Sequence, residues 1–238
     1  MKVRIAYLEE PPFYWTGEDH CATGADIELA DVVLRAIGVS SIEHHVTSFE
    51  VLLPGVQEGR WDMNVPIFVT AERAKRVAFS VPVWSLGDGL LLRHGNPKAL
   101  TSYRAVAARN DARLGIVAGT IQYDAAMSAG VSDSRIVAFK DQPDAIDALL
   151  AGKIDAYAST AVGSRVLADD HQELEVIGLE TSQEARAPFG AFSFNMSNHA
   201  LLQAVNEQLQ KYLGSADHRA RMARYGLTRT ELDSVSAA

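Results

Sequence analysis

The chain alternates short strand-like runs with amphipathic helical runs, and it does so in two successive series. "VRIAYL" reads as a strand, and the two prolines of "EEPPFYW" break it. "ADIELADVVLRAIG" follows with Ile27, Ala30, Leu34 and Ile37 on one helical face, and Gly38 stops it. "IEHHVT" is the next strand. Thr47 and Glu50 predict a capping box ahead of the helix "FEVLLPGVQEG". "WDMNVPI" is again strand-like, and the run 71–76 predicts a short helix capped by Thr70. Parallel neighbours need crossovers of this length, so a β-α-β-α-β order predicts an α/β lobe with a mainly parallel sheet.

The second series starts near residue 113. "RLGIVAG", "RIVAF", "IDAYAS" and "LEVIGL" are strand-like. "TIQYDAAMSAG", "DQPDAIDALLAG" and "TAVGSRVLAD" are helical. "PFGAFSF" is a further strand, and "NHALLQAVNEQLQKYLG" is a helix with Leu202, Val205, Leu209 and Leu213 on its apolar face. Two strand-like stretches, 90–93 and 189–194, would join the series as hinge strands. The expected organisation is one lobe from 1–89 plus 190–238 and a second from 90–189. Ligands of open α/β sheets bind beyond the carboxyl ends of the strands. With two such lobes the expected site is the cleft between them.

Composition narrows the partners. A formal net charge of −8 over 238 residues argues against nucleic acid and against an anionic membrane surface. The single cysteine, Cys21, forbids an internal disulfide and reads as a loop thiol without a role. Seven histidines are scattered without metal-ligand spacing, so no metal is expected. No apolar run approaches the roughly 20 residues of a membrane span. "MKVRIAYLEEPPFYW" enters a strand directly, without a secretory leader. The chain is therefore either cytoplasmic or the remainder of an exported protein whose leader was removed.

One residue is oddly placed for the start of a helix. With Thr70 as N-cap, Arg73 takes the third helical position. A cation there opposes the helix dipole, at a cost of about 0.3–1 kcal/mol. A nearby anion would offset the cost, and it need not belong to the protein.

Six stretches in order resemble the bacterial extracellular solute-binding proteins of family 3: "GADIELADVVLRAIG", "FEVLLPGVQEGRWDM", "TAERAKRVAFSVPVW", "GIVAGTIQYD", "ALLAGKIDAYAST" and "FGAFSFNMSNHALLQAVNEQL". The resemblance covers nearly the whole chain. It implies a type II periplasmic-binding-protein fold with a two-strand hinge. It also implies a monomeric receptor, outside the cytoplasm, that closes on one zwitterion and delivers it to the membrane permease of an ABC importer, without cofactor or catalysis. By the same resemblance, Arg73 would hold the ligand carboxylate as a bidentate fork.

The departures from the family pattern concern the rest of the ligand. Thr160 stands where amino acid receptors place an ammonium-binding aspartate. Asp155, at the start of that strand, reads as structural. Phe68 replaces a small hydroxyl residue, and Pro66 a glycine. Glu10 replaces an aromatic residue in the first loop, and Phe13 follows it. Of Glu9 and Glu10, one is expected to be merely solvated. Phe13, Phe68 and Phe49 would form an aromatic wall for a delocalised cation, worth roughly 0.5–2 kcal/mol per ring. Trp15 and Trp84 are assigned to packing. Thr120 and Ile121 would offer backbone N–H groups to a carboxylate. This set resembles the ectoine and hydroxyectoine receptors of the family. Three other readings stay open: a polar amino acid receptor, an enzyme resembling cyclohexadienyl dehydratase with a carboxylic acid as proton donor, and the sensor module of a receptor kinase.

Overall fold

The computed structural model describes residues 1–179 and 188–236. The chain divides into two compact units, Met1–Leu86 with Pro188–Ala238, and Gly87–Ala187. In the first unit the chain runs β1 (Lys2–Tyr7), β2 (Trp15–Thr16), β3 (Ala22–Thr23), α1 (Ala25–Ala36), β4 (Ser41–Val46), α2 (Phe49–Gln57), β5 (Met63–Phe68), α3 (Ala71–Ala74), β6 (Ala78–Phe79) and β7 (Trp84–Ser85). The second holds β8 (Asp88–Arg93), α4 (Tyr103–Ala108), β9 (Leu114–Val117), α5 (Ile121–Ser128), a 3-10 turn (Asp133–Arg135), β10 (Ile136–Phe139), α6 (Gln142–Leu150), β11 (Ala156–Thr160), α7 (Ala161–Asp170) and β12 (Leu174–Gly178). The chain returns to the first unit with β13 (Phe189–Phe194), α8 (His199–Tyr212), α9 (Ala216–Ala223) and α10 (Arg229–Ser236).

Both sheets have a parallel core and an antiparallel remainder, so they are mixed rather than mainly parallel. In the first, ordered β4-β1-β5-β13-β6, β1 pairs parallel with β4 and β5, while β13 runs antiparallel to β5, β6 and β7. In the second, ordered β10-β9-β11-β8-β12, β9 pairs parallel with β10 and β11, while β8 runs antiparallel to β11 and β12. The reversal comes from β13 and β8, which enter their sheets from outside the local crossover series. Each of these strands thus lies within the sheet of one unit.

Pro66 sits in a central strand, where its missing N–H would break the ladder. The β5–β13 register shifts between Ala191 and Ser193, opposite this part of β5, and the irregularity accommodates it. The expected capping box at Thr47 is not formed. Ser48 is the N-cap of α2, and the Thr47 N–H instead donates to the Tyr7 carbonyl at 2.9 Å, at the end of β1. Tertiary pairing has overridden the local cap.

The core follows the expected face of α1 through Ile27, Ala30 and Leu34, whereas α8 buries Leu201 with Val205 and Leu209 and leaves the expected Leu202 and Leu213 half-buried. Ile27, Leu29, Ala30, Val33 and Leu34 of α1 are buried. In the second unit Leu90, Leu92, Ala156 and Ala158 belong to one apolar cluster, while Leu91 and Tyr157 belong to the other, as alternation along strands requires. Full burial of such a side chain stabilises by roughly 1.5–3 kcal/mol. Asp155 has the structural role expected of it. It accepts from Lys98 Nζ at 3.0 Å and from the Arg113 N–H at 2.8 Å.

Candidate functional site

In the first unit the residues of interest cluster at the carboxyl ends of the parallel strands. Glu10 and Phe13 follow β1, Phe49 follows β4, Phe68 ends β5, and Arg73 follows it. The loop after β1 is folded tightly. The Phe13 N–H donates to the Glu10 carbonyl at 3.1 Å, and the Asp26 N–H to the Phe13 carbonyl at 2.9 Å. Gly24 is required where this loop meets α1. Its φ is +124°, and a Cβ there would lie 2.4 Å from the Phe13 carbonyl oxygen.

Arg73 is 8% exposed, although it belongs to a helix of only four residues. Thr70 caps that helix as expected, accepting from the Arg73 N–H at 3.2 Å. One turn carries little macrodipole, so the helix dipole is a minor influence on Arg73. Tertiary contacts hold the side chain. Nη1 donates to the Phe68 carbonyl at 2.7 Å, and the guanidinium carbon lies 4.9 Å from the Phe49 ring centroid. Both Phe49 and Phe68 are half-buried, and neither belongs to the fully buried core.

The aromatic groups are joined through a ring that pattern reading assigned to packing. Trp84 is buried, with its ring centroid 5.1 Å from Phe68, edge-on, and 6.0 Å from Phe13. Phe13 is itself 3% exposed. It therefore belongs to the buried core, which a position after two prolines in a loop did not suggest. Gly190 of β13 makes room for Trp84, since a Cβ there would lie 2.0 Å from the indole. Trp15 is elsewhere, edge-on to Tyr225 at 6.2 Å.

Two acids and a phenol complete this region. Glu10 accepts from the Tyr14 hydroxyl at 3.1 Å. Glu9 accepts from the Thr16 N–H at 3.0 Å and also from the Thr16 hydroxyl, so neither of the two glutamates is merely solvated. Asp26 is fully buried, and its Oδ1 accepts from Trp84 Nε1 at 3.1 Å. Burial pushes its carboxyl well above the ordinary 3.8; the Trp84 bond opposes this, and the charge of Glu10 adds to it. Burial, with Glu10 and Asp26 nearby, likewise raises the Tyr14 phenol.

In the second unit the residues of interest again lie at the carboxyl ends of parallel strands. Thr120 is the N-cap of α5, and its hydroxyl donates to the Val117 carbonyl at 2.8 Å rather than capping the helix. Ile121 is the first residue of α5. Thr160, 4% exposed, ends β11 and caps α7, accepting from the Gly163 N–H at 3.1 Å. Asp88 is its partner in the β11–β8 register. Tyr103 Oη donates to one oxygen of Asp88 and Gln122 Nε2 to the other, each at 2.8 Å.

Tyr14, Asp26, Asp88 and Gln122 were not singled out by sequence reading, and Trp84 was assigned to packing. Only Trp84 carried a signal there, a tryptophan eleven residues beyond Arg73. The acids and Gln122 are polar residues in ordinary polar settings until tertiary folding sets Asp26 against Trp84 in the first unit and Gln122 against Asp88 in the second. A groove of about 480 Å³ on the first unit holds none of the expected site residues; Glu28 pairs there with Arg221 and Arg224. Among the described residues no group of three or more His, Cys, Asp or Glu side chains is placed to hold a metal ion. No helix among them is long and apolar enough to cross a membrane. Cys21 is an exposed free thiol.

Comparison with known proteins supplies a framework for this geometry. Residues 3–227 match the family model of the bacterial extracellular solute-binding proteins, family 3. The chain is 30% identical over 231 residues to a probable amino-acid ABC transporter periplasmic-binding protein, y4tE, of Sinorhizobium fredii (strain NBRC 101917 / NGR234), covering 94% of this chain and 76% of that one. It is 24% identical over 201 residues to the L-cystine-binding protein TcyJ of Escherichia coli (strain K12), covering 84% and 72%. Among solved structures, EhuB in complex with hydroxyectoine superimposes with a TM-score of 0.86 at 27% identity, covering all of this chain and 95% of that one. An ancestral arginine-binding protein bound to arginine gives a TM-score of 0.81 at 22% identity over 94% and 97%, a likeness of fold.

Proposed function

The chain belongs to the bacterial extracellular solute-binding proteins, family 3, and on that premise we propose that it captures a compatible solute of the ectoine and hydroxyectoine type. Its fold is the α/β type II periplasmic-binding-protein fold, and its relatives are named as binding proteins of amino-acid importers. The observation that carries the reading is the setting of Arg73. A nearly buried guanidinium is held between the Phe68 carbonyl and the Phe49 ring, and Phe68 in turn packs on Trp84, which meets Phe13. Such a guanidinium suits a carboxylate, and the rings suit a delocalised cation. Hydroxyectoine, the ligand named for the solved EhuB complex, joins a carboxylate to a cyclic amidinium.

In this reading Arg73 takes the carboxylate, Phe68 and Phe49 line the cation, Phe13 and Trp84 support them, and Glu10 accepts an amidinium N–H. Thr120, Ile121 and Thr160 of the second unit stay proposed ligand contacts on the strength of the family resemblance. The receptor works outside the cytoplasm as a monomer and passes its ligand to an ABC permease, without chemistry on it. Thermal-shift and calorimetric titration with ectoine, hydroxyectoine, glycine betaine, arginine and glutamine tests this. A ligand at 100 times its dissociation constant should stabilise the protein by about 2.7 kcal/mol. Tight binding of glutamine with no response to ectoine would overturn the compatible-solute reading and leave a polar amino acid receptor. Turnover of prephenate or arogenate would overturn the receptor reading itself.

A further inference from the structure

The second unit holds a carboxylate that no function yet discussed uses. Asp88 starts β8, which runs antiparallel to β11. Its position is therefore at the carboxyl edge of the parallel strands, the edge at which α/β sheets bind ligands. It pairs in register with Thr160, so the two side chains project from the same face of the sheet. Leu90, Leu92, Ala156 and Ala158 line that face, and α4 and α5 cover it.

The surroundings of Asp88 are unusual for a structural acid. It is half-buried, and both of its polar contacts are neutral: the Tyr103 hydroxyl on one oxygen and the Gln122 carboxamide on the other. Among the described residues no lysine, arginine or histidine forms an ion pair with it. Burial raises its pKa above the ordinary 3.8, and the bonds from Tyr103 and Gln122 oppose the shift. The two donors fix the carboxylate's orientation without cancelling its charge, and each oxygen keeps a further lone pair. A carboxylate held this way at a ligand-binding edge is arranged to meet a cation from outside the chain.

We propose that Asp88 is a specificity-determining ligand contact, accepting a hydrogen bond from an N–H of the ligand's cationic group, with Tyr103 and Gln122 as positioning residues. The proposal rests on the solute-receptor reading above. It sharpens the ligand class, because an amidinium, guanidinium or ammonium has N–H groups to give and a fully alkylated ammonium has none. Asp88 also places beside Thr160 the negative charge that a threonine lacks.

The test is calorimetry on the full chain with ectoine, hydroxyectoine, arginine, glutamine and glycine betaine, for the parent and for Asp88→Asn. The parent should bind at least one N–H cation at least tenfold more tightly than glycine betaine. Asp88→Asn should weaken that ligand at least tenfold, while the unliganded melting temperature stays near the parent's. Unchanged affinity in Asp88→Asn, or betaine binding as tightly as the N–H ligands in the parent, overturns the proposal. If arginine or glutamine is the tight ligand and Asp88→Asn loses it, Asp88 keeps its role and the compatible-solute reading falls. If the parent binds none of the five, both fall. Should Asp88→Asn fail to fold, Tyr103→Phe leaves the carboxylate in place but loosens it. A several-fold loss confined to the N–H ligands then supports the proposal, and unchanged affinities overturn it.

Discussion

At the carboxyl edge of the first sheet, side chains are held by rings; at that of the second, by hydrogen bonds near helix starts. Arg73 lies over Phe49, and Trp84 stands between Phe13 and Phe68. In the second unit Thr160 caps α7, the Thr120 hydroxyl at the start of α5 donates to the Val117 carbonyl, and Asp88 is fixed by a phenol and a carboxamide. The first arrangement is continuous with the apolar core, so its shape depends on packing volume. The second depends on a few directional bonds, each of which can be removed without opening a cavity. Substitutions in the first should therefore mix stability with binding, and those in the second should separate them.

Arg73→Lys should have the largest effect on binding. A lysine cannot reproduce a planar fork, and affinity should fall well over tenfold, more than about 1.4 kcal/mol. Calorimetry on the folded variant measures it, and unchanged affinity would falsify the carboxylate role. Gly190→Ala tests whether the ring cluster is a packed unit. The new Cβ collides with Trp84, and unliganded stability should fall by about 1–3 kcal/mol, with a parallel loss of affinity. Lost stability with full affinity would show that the Trp84 position does not matter to the ligand.

Phe68→Leu keeps apolar volume but removes the π face. A loss of about 0.5–2 kcal/mol in binding is expected, with an unliganded melting point near the parent's. The opposite pattern would return Phe68 to the core. Thr160→Val removes the bond to the Gly163 N–H and should cost about 1 kcal/mol in a denaturant titration; affinity should change less than in Phe68→Leu.

Asp26→Asn should be the one gain. The Trp84 N–H keeps an oxygen acceptor, while the cost of burying a carboxylate disappears. The folded pKa of Asp26 lies above the ordinary 3.8. Between those two values the folded chain binds a proton that the unfolded chain releases. The parent therefore loses stability from this group as pH rises above 3.8. The variant's advantage in melting temperature should be present at pH 7 and shrink as pH falls toward 4. An advantage independent of pH would rule out ionisation as its cause.

Sequence alone determined the alternation of strands and helices, the Thr70 cap that sets Arg73, the structural role of Asp155 and the family. These depend on periodicity, local caps and motif order, which are written within short windows of the chain. Glu10, Phe49, Phe68 and Arg73 could be picked out in the same way, because each stands in or beside a recognisable stretch. Tertiary structure decided what surrounds them. The β7–β13 pairing sets Gly190 against Trp84 and makes an assumed packing residue the centre of the aromatic cluster. The β8–β11 register puts Asp88 beside Thr160 across 72 residues of chain. Burial turns Asp26 from an acid in the first turn of a helix into one that favours its proton. Each of these is a property of strand register or of distance from water, and both are set only when remote segments pair.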